Sequence, residues 1–182
     1  DASVKCLTLK IRNTTGRRRS LSVTGYVEWM LGERRSKTGS HVVTEVDPQT
    51  GAIYARNPYH MEFGRTVAFF QSSETARSFT CDRTEFIGRN EDLARPAAMK
   101  LSWLSGKAAR PPHQSPAIQN RIDLNEGEEK ELTYVLGAAD DAAAAAQLTQ
   151  RFRRSGDARR ALENVWGFWG HTLTAAQVET PD

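Results

Sequence analysis

The chain has 182 residues, 38% hydrophobic and 26% charged, with a formal net charge of +3. That balance supports one folded domain with a sizeable core, or a domain plus an appendage, and excludes a disordered polyelectrolyte. The small positive excess does not demand nucleic acid, no apolar stretch approaches the ~20 residues of a membrane-spanning helix, and two distant cysteines, Cys6 and Cys81, imply no disulfide framework.

The first three-quarters of the chain reads as β. Val4, Cys6 (loosely), Leu7, Leu9 and Ile11 alternate with polar residues, as a half-buried strand does. The chain opens at Asp1 and runs straight into this strand, the expectation for a piece of a longer polypeptide. Asn13-Thr14-Thr15-Gly16 is a turn of the kind Asn and Gly favour. Leu21, Val23, Gly25, Val27 and Trp29 then alternate with Ser22, Thr24, Tyr26 and Glu28. Together they predict a hairpin, with Trp29 in the core and Arg17, Arg18 and Arg19 near the tip as a solvated guard against edge pairing.

A second hairpin is expected from Val42–Val46 and Ala52–Arg56 around the turn Asp47-Pro48-Gln49-Thr50-Gly51. Pro58 stops the second of these strands. Thr66–Gln71 reads as a buried strand, and Ala76–Thr80 leads into the polar run Cys81–Asn90. Short strands are expected at Leu101–Leu104 and Arg121–Leu124, separated by a polar loop from Gly106 to Pro116, and a last strand at Glu131–Leu136. Many short strands at this spacing indicate an antiparallel sandwich.

The composition then changes. Asp140-Asp141 before the alanine run 142–146 predicts a capped helix. Ser155-Gly156-Asp157 breaks it and opens a second, in which Ala158, Ala161, Leu162, Val165, Trp166, Trp169 and Leu173 make one apolar face. Residues 175–182 trail off as linker. The expected fold is mainly β: an antiparallel β-sandwich over 1–137, then two linker α-helices over 138–182. Its truncated sheet face predicts either self-association or cover from the chain's own helices.

No ligand spacing connects His41, His60, His113 and His171, and Cys6 and Cys81 are not a CxxC pair, so no metal site is proposed. Phosphate-loop, dinucleotide and nucleophile-elbow motifs are absent. The arginines at 151, 153, 154, 159 and 160 could bind phosphate or nucleic acid, but no stacking aromatics are interleaved with them, and a solvated helix face accounts for them. Trp103, Trp166, Phe168 and Trp169 could stack on sugar rings, although the helical spacing of 166 and 169 favours packing.

Two polar motifs remain. Arg56-Asn57-Pro58-Tyr59 ends a strand, and Cys81–Asn90 carries Asp82, Arg83, Glu85, Arg89 and Asn90 around the apolar anchors Phe86 and Ile87. Planar arginine donors beside bidentate acceptors suit a polyhydroxyl ligand or a neighbouring domain. They equally suit an internal salt-bridge network that pins a loop.

At these residues the chain resembles a known family. Tyr26–Gly32, His41–Glu45, Ala55–Tyr59, Asp82–Asn90 and Leu93–Ala97 together resemble glycoside hydrolase family 94, most of all the phosphorylase-like region of cyclic β-1,2-glucan synthases and the β-1,2-oligoglucan phosphorylases. The resemblance implies part of a galactose-mutarotase-like supersandwich, then linker helices leading to an (α/α)6 catalytic barrel that this chain lacks. It implies reversible inverting phosphorolysis of β-glucosides by the parent enzyme, with inorganic phosphate as co-substrate and no other cofactor. The catalytic acid would belong to the barrel, so no catalytic residue is expected here. Carried residue by residue, Arg83, Glu85, Arg89 and Asn90 are the candidate acceptor-side residues, with Arg56 and Tyr59 second. The implied partners are a β-glucan oligosaccharide, the catalytic barrel and a second subunit, with neither nucleic acid nor membrane contacted by this segment. The implied location is cytoplasmic, including the cytoplasmic part of an inner-membrane protein. A reading from another class is a stand-alone carbohydrate-binding or interaction module.

Overall fold

The computed structural model describes residues 2–75, 77–90, 92–108 and 114–174. The described residues form eight strands: β1 (Val4–Arg12), β2 (Arg19–Tyr26), β3 (Val43–Val46), β4 (Ile53–Arg56), β5 (Val67–Ser72), β6 (Arg77–Asp82), β7 (Gln114–Leu124) and β8 (Glu129–Ala139). Helix α1 (Arg35–Thr38) precedes β3, α2 (Arg83–Ile87) follows β6, and α3 (Ala142–Arg151) and α4 (Ser155–Leu173) close the chain. The strands form a five-stranded sheet in the order β1-β8-β5-β4-β3 and a three-stranded sheet in the order β2-β7-β6. Every pairing is antiparallel.

The expected β1–β2 hairpin does not form. β1 pairs with β8, and β2 pairs with β7 in the other sheet. Asn13 is the physical reason. Its Nδ2 donates to the carbonyls of Arg17 (2.8 Å), Leu124 (3.1 Å) and Asn125 (3.0 Å). Its backbone N–H donates to Glu128 O, and its carbonyl accepts from Gly127 N. One buried amide thus ties the β1–β2 connection to the β7–β8 connection. Both connections become arches that carry the chain from one sheet to the other.

The core lies between the sheets. Trp29, Val42, Ile53, Phe70, Ile118, Ile122, Leu124 and Leu132 are buried in it. Tyr134 of β8 stacks on Phe70 and reaches across to donate its hydroxyl to Val23 O of β2 at 2.9 Å. Gly25 of β2 makes room for this ring, because a Cβ there would lie 2.7 Å from it. Trp29 is core as expected, but it lies beyond the end of β2.

Each sheet also has its outer face covered locally. On the larger sheet α3 packs over Val67, Phe69 and Val135 through Ala145, with Phe152 just past its end. Asp141 caps α3 by accepting from Ala144 N at 2.9 Å. At the other end Gln71 Nε2 donates to Thr149 O and Phe152 O, taking up carbonyls that a helix terminus leaves orphaned. This explains why β5 is buried at all six positions. The chain's own helix α3 therefore covers the part of the sheet around β5 and β8, while β1 stays largely exposed.

Helix α4 behaves differently. None of its residues is buried, and Trp166 and Trp169 are 65% and 52% exposed, so they are not core in this chain. A cleft of about 870 Å³ opens between α4 and β1, lined by Val4, Cys6, Phe152, Leu162, Val165 and Trp169 among others. The arginines at 159 and 160 are engaged with Glu131 and Asp157, and Arg151 lies over the Phe152 ring.

Two further strand expectations need correction. Leu101–Leu104 is not a strand; it follows a short 3-10 helix over Ala97–Lys100. Side chains satisfy its backbone, with Leu104 N donating to Ser78 Oγ and Leu101 O accepting from Gln119 Nε2. The short strand expected at Arg121–Leu124 begins instead at Gln114, and its central place between β2 and β6 buries most of it. Of the loop expected from Gly106 to Pro116, residues 109–113, His113 included, lie outside the described residues, as do Ala76 and the trailing segment 175–182.

Candidate functional site

The polar run 81–90 is a strand end, one helical turn and a bend. β6 ends at Asp82, whose carboxylate accepts from Thr84 N at 2.8 Å and so caps α2. Phe86 and Ile87 point inward and are buried with Ala98, Leu104 and Ala117 on the outer face of the smaller sheet. Gly88, at φ 96°, stops the helix in a conformation that disfavours side chains with a Cβ. The two apolar anchors therefore fix which polar side chains face outward.

Those side chains divide into two groups. Glu85 turns back on its own neighbourhood. It accepts from Thr80 Oγ1 at 2.8 Å, Ser105 N at 2.8 Å and the Ser105 hydroxyl. Partial burial pushes its carboxyl up, but these donors together hold it below the usual carboxylate value. Glu85 thus clamps the loop before β7 onto α2, and its acceptor capacity is largely spent.

Arg83 points to the segment after β2. Its Nε donates to Glu28 Oε1 at 3.0 Å. The same carboxylate accepts from the Tyr26 hydroxyl at 2.7 Å and from Arg35 at the start of α1. The Tyr26 ring stacks on Phe86 with centroids 4.4 Å apart. Burial works against the charge on Glu28, but Tyr26, Arg83 and Arg35 outweigh it and lower its pKa. The Tyr26 phenol is pushed up to about 12, first by burial and also by the Glu28 carboxylate. Arg89 and Asn90 are exposed in the bend after α2.

Arg56 and Tyr59 sit at the end of β4, on the other sheet. Arg56 Nη2 donates to Glu45 Oε1 at 3.0 Å across the β3–β4 ladder. Tyr59 is 76% exposed, and its ring lies 5.1 Å from that of His41. Among the described residues, no hydrogen bond, ion pair or ring contact joins this pair to residues 82–90. Tyr59 instead touches the strap formed by residues 27–41, through His41. Asn57, buried between Arg56 and Tyr59, donates Nδ2 to Leu31 O at 2.8 Å.

Sequence reasoning missed Glu28. It occupies a polar slot in an alternating stretch and looked like the solvent face of a strand. Its charge is matched by arginines 7 and 55 residues downstream, which only the fold brings to it. No group of three or more His, Cys, Asp or Glu side chains among the described residues could hold a metal ion. None of the six candidate residues lines the α4–β1 cleft. The surface can recognise hydroxyls or a carboxylate, or it can brace a loop.

The sequence comparisons identify the fold. The supersandwich domain of glycosyl hydrolase 94 matches residues 1–155. The chain belongs to this family. The match runs through both sheets and all of α3. Cyclic beta-(1,2)-glucan synthase NdvB of Rhizobium meliloti is 33% identical over 179 residues, covering 98% of this chain and 6% of that protein. Cellobionic acid phosphorylase of Neurospora crassa is 27% identical, covering 96% of this chain and 22% of that protein. The 3-O-beta-D-glucopyranosyl-beta-D-glucuronide phosphorylase of Paenibacillus borealis is 26% identical, covering 96% and 23%. The chain therefore spans less than a quarter of the length of each of these relatives. No helix among the described residues is long and apolar enough to cross a membrane.

Proposed function

We propose that this chain is the non-catalytic supersandwich and linker portion of an enzyme that acts on β-glucans, β-1,2-linked glucan foremost. The observation that carries the reading is the length relationship. Nearly the whole chain aligns with a small share of a glucan synthase and of two phosphorylases. The reaction is inverting phosphorolysis, or its reverse, with inorganic phosphate as co-substrate and the acid supplied by an (α/α)6 barrel outside this chain. The domain is cytoplasmic, contributes to contacts between two subunits, and receives the barrel beside its linker helices.

Within this reading Arg83 is the side chain that meets the acceptor sugar, with exposed Arg89 and Asn90 beside it. Its Nε is committed to Glu28, and its side chain keeps 37% exposure. Glu85 braces the loop rather than reading the sugar, since Thr80 and Ser105 occupy its carboxylate. Arg56 and Tyr59 form a second rim carried by β4.

Glucose 1-phosphate formation from β-1,2-linked oligosaccharides and phosphate tests the reading. The full-length polypeptide should turn over and the 182-residue chain should not. Turnover by the chain alone would overturn the non-catalytic assignment. Tight glucan binding by the chain alone would favour a stand-alone carbohydrate-binding module.

A further inference from the structure

We infer that Glu28 is a positioning residue, which fixes Arg83 and the 27–41 strap to each other at one rim of the sandwich. Its role at the acceptor side rests on the function proposed above. The positioning itself rests on geometry alone.

Three donors from three elements converge on this one carboxylate. Tyr26 comes from the end of β2, Arg35 from α1 and Arg83 from α2. Without a partner Arg83 would be poorly fixed, because a long side chain at a helix surface samples many rotamers. Glu28 removes that freedom by engaging Nε, the innermost donor of the guanidinium. The strap gains as much as the arginine does. Beyond the Val27 N bond to Pro116 O of β7, residues 28–34 belong to no strand, and α1 is a single turn. Ties that hold the strap include Val27 N bonded to Pro116 O, Trp29 buried in the core, Leu31 O bonded to Asn57, His41 beside the Tyr59 ring, and Glu28 bonded to Arg83 of α2. The middle tie runs to the Arg56–Tyr59 corner, and the last runs to the 81–90 run. Glu28 is thus the residue that carries the strap's connection to the Arg83 side chain, while Leu31 and His41 carry its connection to the corner on the other sheet.

The charge matters more than the shape. A glutamine can still accept from one donor through its amide oxygen, but it places an NH2 group against a guanidinium. Glu28→Gln should fold, because the side chain is about one-third exposed and no apolar contact is lost.

Two readouts in the full-length polypeptide test the inference. Amide exchange is measured across 30–41 and 83–90 in Glu28→Gln. Acceptor KM and kcat are measured in Glu28→Gln, Arg83→Ala and the double variant. Faster exchange in both segments, together with a KM raised about tenfold at little-changed kcat, is expected, the size of one lost charge-assisted hydrogen bond. The double variant should show no more than the larger single effect, because Glu28 acts through Arg83. Unchanged exchange in Glu28→Gln would overturn the positioning role whatever the kinetics. Faster exchange with KM unchanged in every variant would keep the positioning role and remove the acceptor-side function instead.

Discussion

Arg83 Nε and Glu28 Oε1 lie 3.0 Å apart, across 55 residues of sequence and between two elements that share no strand ladder. The pair is partly exposed, so its worth to global stability is modest. Its consequence is geometric: it sets where an outward arginine stands relative to the strap.

The pair has an acid signature. Glu28 and Glu85 both have folded-state pKa values below the ordinary 4.5, each because its donors outweigh burial. A lowered folded-state value means that the ionised form is favoured by folding. The stabilisation is present above the ordinary value and is lost as pH falls through the lower folded-state value. Urea midpoints should therefore drop as pH is taken below about 4.5. The drop should be shallower in Glu28→Gln and Glu85→Gln. An identical pH profile in both variants would show that these carboxylates are not linked to folding.

Asn13 governs the two arches between the sheets. Asn13→Ala leaves three carbonyls without their shared donor and should cost about 2–4 kcal/mol in urea unfolding. Asn13→Asp keeps the volume but sets a carboxylate against those carbonyls, so it should be at least as damaging at neutral pH. A neutral effect of Asn13→Asp would mean that the amide donor does not hold the corner.

Gly25 and Tyr134 make a second long-range fit. Gly25→Ala would place a methyl group 2.7 Å from the Tyr134 ring and 2.8 Å from Phe70. Both rings are packed in the core, so the strain should cost about 1–3 kcal/mol. A melting temperature equal to wild type would show that the rings can move aside.

These residues also mark what could be read from sequence. The change to helix at Asp141 and the buried run of β5 follow local rules of periodicity and capping, and both are found, whereas the half-buried alternation expected of β1 is not, since Leu7 and Leu9 lie exposed. The short turn at Asn13 follows local rules too, and there they mislead. An Asn-Gly-rich turn favours a hairpin locally, but the Asn13 amide is satisfied by carbonyls 111 and 112 residues away. Local sequence holds no trace of that partner. The candidate site divides the same way. The anchors Phe86 and Ile87 and the polar density around them were legible, whereas the inward turn of Glu85 and the role of Glu28 depend on Ser105, Arg35 and Arg83 arriving from elsewhere. Trp166 and Trp169 carry a helical apolar pattern that fits burial, yet this chain leaves them exposed.

The decisive measurement is the acceptor dependence of Arg83→Ala in the full-length polypeptide, with β-1,2-linked oligosaccharides as acceptors in the synthetic direction. An acceptor KM raised about tenfold with kcat within about twofold of wild type is expected, the loss of one charged hydrogen-bond donor to the sugar. An unchanged KM and an unchanged kcat would contradict the acceptor-side role of Arg83 and leave the Cys81–Asn90 run as a brace between α2 and its sheet.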